Sequence, residues 1–80
     1  MMYHINHPLA HGVSVITKSE VPLAMATADT CEVAFFDQDG DWVLETIEEF
    51  ADYADMMTGS TLVYGYVPNE IVEDFLEAYS

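Results

Sequence analysis

The sequence predicts an α+β fold: a mainly antiparallel sheet of four to five strands with two or three helices packed on one face. Three observations predict it. Short β-branched or alternating runs are bounded by Pro, Gly and Asp, and two later segments carry apolar residues at helical spacing. The apolar fraction is 51%, and Trp42, four Phe and five Tyr supply enough large side chains for a core in a chain of 80 residues. That length makes a single domain spanning 1–80.

The elements follow in order. "MMYHIN" and "VSVIT" (13–17) read as strands separated by "HPLAHG", where Pro8 and Gly12 punctuate a loop. "SEVPLAMATAD" (19–29) suits a short helix with Ser19 as cap and Pro22 in its first turn, although its valine and threonines would also tolerate a strand. "CEVAFF" (31–36) and "DWVLE" (41–45) flank "DQDG" and read as a β-hairpin. Thr46 and Glu49 form a T-x-x-E capping box, and Ile47, Phe50, Ala51, Ala54 and Met57 recur at helical spacing until Gly59. "STLVYGYV" (60–67) is a strand with Gly65 inside it. After Pro68, Asn69 is placed to cap a last helix carrying Ile71, Val72, Phe75, Leu76 and Tyr79. The predicted order is ββ(α)ββαβα.

Charge is the most unusual property. Fifteen acids face a single Lys18, a formal net charge of −14. Residues 1–28 hold only Lys18 and Glu20, so the entire net charge falls on 29–80, which contain no base. Such a surface repels nucleic acid and anionic membrane and steers basic proteins toward itself. Cys31 is the one cysteine, which excludes an intramolecular disulfide and suits a reducing compartment, with the cytoplasm as the expected home. No apolar run approaches the ~20 residues of a membrane helix, and no basic residue precedes an apolar core at the N-terminus.

"DQDGDWVLETIE" (37–48) resembles an EF-hand loop. Asp37, Asp39, Asp41, Glu45 and Glu48 occupy the first, third, fifth, ninth and twelfth positions, and Leu44 the apolar eighth. The sixth position, however, is Trp42 where the family has the glycine of the sharp turn, and the flanks lack the expected entering helix. A hairpin turn is therefore the expected structure, and no metal is assigned. His4, His7 and His11, with Cys31 as a fourth ligand, offer zinc donors, but the H-x2-H-x3-H spacing matches no zinc module and Pro8 interrupts it. Surface histidines in a loop are expected instead. Nucleophilic catalysis lacks support, because one lysine and no arginine leave little to stabilise an anionic transition state. No cofactor and no enzymatic activity are expected.

The acids fall into stripes on the two predicted helices. Glu70, Glu73, Asp74 and Glu77 stand at i, i+3, i+4, i+7 opposite the apolar face, and Glu45, Glu48, Glu49 and Asp52 repeat the spacing, extended by Asp55. Helical like charges at this spacing cost a few tenths of a kcal/mol per pair, and no lysine relieves them. Four carboxylates in one stripe span about 10 Å, a length over which duplex DNA presents about six phosphates. Each stripe, helped by Asp37, Asp39 and Asp41 at the hairpin tip, is therefore suited to a Lys/Arg groove built for phosphates.

In size, stripes and near absence of bases the chain resembles the small acidic inhibitors of phages and mobile elements, the anti-CRISPR and anti-restriction proteins, several of which mimic DNA. Those families share no common motif, so the resemblance covers the whole chain by composition and transfers no site residues. It implies a partner with a basic nucleic-acid channel, such as a CRISPR effector or restriction enzyme. It also implies no catalytic role; a monomer or homodimer in the host cytoplasm that binds no nucleic acid or membrane is expected. Two other classes fit the charge: an immunity or antitoxin protein that blocks a basic nuclease or toxin, and a halophilic or plain acidic interaction subunit.

Overall fold

The computed structural model describes residues 1–17, 29–58 and 61–80, excluding the side chains of 55–58 and 61. Lys18, all but Asp29 of the segment expected as a helix at 19–29, Gly59 and Ser60 lie outside the described residues. The fold is α+β. Strands β1 (Met2–His4), β2 (Gly12–Thr17), β3 (Thr30–Phe36), β4 (Ala54–Thr58) and β5 (Thr61–Pro68) form one antiparallel sheet of order β1-β2-β3-β5-β4. A 3-10 helix (Glu48–Tyr53) precedes β4, and helix α1 (Asn69–Ala78) follows β5.

Alternation in the strands sets the core. Val13, Val15 and Thr17 of β2, Cys31, Val33 and Phe35 of β3, and Leu62, Tyr64 and Val67 of β5 all turn to one face and are buried. Phe50 of the 3-10 helix and Val72 and Phe75 of α1 close that face, with the Phe50 and Phe75 rings 4.9 Å apart at 70° and each meeting Phe35. Tyr64, fully buried at the centre, accepts the Ile47 N–H on its hydroxyl at 2.9 Å, so the 3-10 helix is pinned to the sheet at its first turn. Burial raises the Tyr64 hydroxyl above its ordinary pKa and keeps it protonated.

The structure corrects the middle of the predicted order. The helix expected over 46–58 is a 3-10 helix of six residues followed by strand β4. Ile47, Phe50 and Tyr53 recur every third residue and turn inward, as three residues per turn requires, whereas Ala51 and Ala54, which an α-helix would bury, are exposed. The competing force is pairing: β4 covers the ladder groups of β5 from Ala54↔Tyr64 to Thr58↔Thr61, which a helix would leave open. The capping box is not made, since Ile47 is the N-cap and no side chain caps it. "DWVLE" is not a strand either, and contributes only a bridge from Trp42 to Phe36. At α1 the N-cap is Pro68, so Asn69 is the first helical residue rather than the cap, and its N–H donates to the Asp29 carbonyl at 2.9 Å.

Two bulges interrupt the ladders on either side of β5. Between Cys31↔Val67 and Val33↔Tyr64 the register gains a residue on β5, at Gly65–Tyr66, and Tyr66 rather than the glycine takes the left-handed φ of 54°. Between Ala54↔Tyr64 and Met56↔Val63 the extra residue is Asp55. At the other end Gly12 pairs with Phe36, and a Cβ on Gly12 would overlap the Phe36 ring, so the ring lies over the glycine.

Candidate acidic interface

Helix α1 presents its stripe as the spacing predicts. Val72 and Phe75 are buried, Ile71, Leu76 and Tyr79 are half-buried, and Glu70, Glu73, Asp74 and Glu77 are all exposed on the opposite side. Glu70 also sits in the first turn, where the helix dipole favours a carboxylate; Glu77 near the C-terminus has no such support. These four acids form the most regular part of the site.

The second stripe is rebuilt. Glu48, Glu49 and Asp52 are exposed on the 3-10 helix, where Glu49 and Asp52 eclipse each other one turn apart, but Glu45 lies in the preceding loop and Asp55 lies in β4. The i, i+3, i+4, i+7 arrangement of Glu45, Glu48, Glu49 and Asp52 therefore does not exist, because the backbone that would create it is not α-helical. What remains is a pair of acidic segments in one layer, joined where the Phe50 and Phe75 rings meet beneath them.

At the hairpin tip, the Asp37 N–H donates to the Asp41 carbonyl at 2.7 Å and the Gly40 N–H to the Asp37 carbonyl at 3.1 Å. Gly40 takes φ 85°, open to glycine at little cost. The Asp37 carboxylate turns back to accept the N–H groups of Asp39 and Asp41 at 2.9 and 3.0 Å. One of the three tip acids thus serves its own turn, while Asp39 and Asp41 remain exposed.

Where the two acidic segments join, the structure assembles a cluster that local sequence patterns do not reveal. His7 is not a surface histidine: its side chain is 7% exposed, with Nε2 3.4 Å from Glu49 Oε2 and the ring against Tyr79 and Phe75. The Leu9 N–H donates to His7 Nδ1 at 3.0 Å, which assigns the ring hydrogen to Nε2, facing the carboxylate. The Tyr79 hydroxyl donates to the same Glu49 oxygen. That bond, more than the nearby imidazole, lowers the Glu49 pKa, and it raises the Tyr79 pKa in return. His7, Pro8, Leu9, Thr46, Glu48, Glu49 and Tyr79 line an open cleft of about 580 Å³. Sequence separations of 30 and more residues hide this cluster from any periodicity.

The other candidates resolve simply. His4 and His11 meet edge to face at 4.1 Å. Cys31 lies in β3 as expected, buried, with its thiol near the Val67 carbonyl at 3.6 Å; desolvation raises its pKa and suppresses the reactive thiolate. No group of three or more metal-binding side chains occurs among the described residues, and no described helix is long and apolar enough to cross a membrane. Compared with family models, with curated proteins and with solved structures, the chain shows no significant match.

Proposed function

We propose that the protein is a non-catalytic acidic inhibitor that occupies the phosphate-binding surface of a basic nucleic-acid-binding protein, in the manner of a DNA mimic. The observation that carries this reading is α1: four exposed carboxylates on one face, opposite a buried one, in a stretch of the chain (29–80) with no lysine or arginine. A helix that only needed solubility would gain from interleaved lysines, and this one forgoes them. The rigid backbone behind the stripe, fixed by Phe75 and Val72 in the core, holds the charges in a set spacing before a partner arrives, which limits the ordering cost of binding. Glu48 and Asp52 extend the field beside it, and Asp39 and Asp41 add a separate exposed pair.

The partner class is a DNA- or RNA-handling enzyme such as a CRISPR effector or restriction enzyme, reached in the cytoplasm of a host cell. The test begins with a tagged pull-down from nuclease-treated host lysate. The combined variant Glu70→Gln, Glu73→Gln, Asp74→Asn, Glu77→Gln should then keep its fold and weaken binding by about 0.5 to 2 kcal/mol per charge. Competing DNA should displace the protein, and added salt should weaken the complex. Mimicry is wrong if the neutralised variant binds as tightly as the parent and DNA and protein occupy the partner together.

A further inference from the structure

The face of the sheet turned away from the helices carries a different surface from the rest of the molecule. Strand alternation and the Phe36–Trp42 bridge place Met2, Ile16, Trp42 and Tyr66 on it, 61%, 51%, 40% and 80% exposed, around the half-buried Phe36 and Val63. Among the described side chains of the five strands, Glu32 is the one carboxylate. His4 and Ser14 share the face, so among its described side chains a molecule of net charge −14 presents one largely apolar face. The Tyr66 ring is presented there from a backbone conformation unfavourable for tyrosine, at the β5 bulge.

We propose that this face joins two copies of the chain, sheet against sheet about a two-fold axis. Charge selects the occupant. A basic partner is drawn to the acidic helical layer on the opposite side, while the described side chains of the sheet face offer an ionic partner little beyond Glu32. The face matches its own apolar copy. Packed sheets lie ~10 Å apart, and a helix layer lies about another 10 Å outside each, so the two acidic layers end roughly 30 Å apart. That separation is several times the ~8 Å Debye length at physiological ionic strength, so self-repulsion is screened.

Area agrees with a weak pairing. Five strands at ~4.8 Å spacing and about six residues at ~3.3 Å give a plane of about 480 Å², which side-chain relief enlarges toward the ~600 Å² per partner of small interfaces. Trp42 and Tyr66 are of the residue types that anchor such contacts. The pairing leaves both α1 stripes facing outward and does not depend on the mimicry reading.

Sedimentation velocity of the full chain, from about 5 to about 500 µM, covers the range in which an interface this small populates. The mass should climb from 9.0 kDa toward twice that value. Dimerisation should strengthen between low and high salt, opposite to the response of a charge-driven complex, and Trp42 fluorescence should shift to the blue. Glu32→Gln should strengthen it at low salt. Ile16→Glu and, separately, Tyr66→Gly should each weaken it about tenfold with the circular dichroism spectrum unchanged. Tyr66→Gly should also melt no lower than the parent, because glycine accepts the left-handed φ. A mass of 9.0 kDa at every concentration and salt overturns the proposal, as does a dimer that neither variant weakens or that dissociates as salt rises.

Discussion

Glu49 shows how much one side chain can be asked to do. It belongs to the exposed acidic surface by sequence, yet its Oε2 receives the Tyr79 hydroxyl and faces His7 Nε2, so it also ties the loop after β1 and the end of α1 to the 3-10 helix. The Asn6 N–H, donating to the Tyr79 carbonyl at 2.7 Å, closes the same junction through the backbone. A carboxylate with a lowered folded pKa contributes stability above its unfolded value and loses it as pH falls through the folded one. For Glu49 that loss belongs below its ordinary 4.5. Tyr79 has the opposite sign: its raised pKa contributes below its ordinary 10.0 and is lost as pH rises past the folded value. Tyr79→Phe should therefore be less stable than the parent at neutral pH, with the difference narrowing on acidification below 4.5. Urea unfolding across that window measures it, and a constant difference would show that the hydroxyl bond is not linked to the carboxylate's proton.

Among the elements, the hairpin tip and the 3-10 helix show why matching ligand positions do not make a calcium loop. The carboxylate that would be the first ligand, Asp37, already accepts two amides of its own turn. Glu48, the last ligand position, opens the 3-10 helix beside the buried Phe50. Binding calcium through both would require the turn to be taken apart. Calcium at about 1 mM should raise the melting temperature no more than magnesium at equal ionic strength, since both screen the −14 charge alike. A calcium-selective rise of several degrees, abolished by Asp37→Ala, would refute this account of the turn. The same segment shows the limit of helical spacing as a signal. Ile47, Phe50 and Met57 satisfy an α-helical stripe, but Ile47, Phe50 and Tyr53 satisfy a period of three equally well, and six residues at that period free 54–58 to pair with β5.

For the whole molecule, one core serves every element. Phe35 and Phe50 meet each other and both Tyr64 and Phe75, joining the sheet, the 3-10 helix and α1 with ring centroids 4.9 to 5.9 Å apart. Phe50→Ala and Phe75→Ala should each cost about 3 to 5 kcal/mol, a large share of a small domain's stability. Thermal unfolding checks both, and melting within a few degrees of the parent would mean that the helical layer is not packed on the sheet as described. The acidic layer lies outside these rings, so its charge is carried on elements anchored in the buried core.

Legible in the order of residues were the α+β class, the strands at 13–17 and 31–36, the amphipathic α1 with its stripe, the burial of Phe50 and Phe75, and the tight turn at Asp37–Asp41. Each of these rests on a local pattern: alternation, a 3.6-residue period, or turn residues, which act over a few positions and survive in any compact fold. Long-range packing set the rest. It made residues 54–58 an edge strand because β5 needed a partner, and it broke the second acidic stripe by changing the helix type beneath it. It also brought His7, Glu49 and Tyr79 together and left Glu32 as the one carboxylate among the described side chains of the strands. Those outcomes depend on which distant segments satisfy one another's hydrogen bonds and bury one another's surface, information that no window of sequence contains.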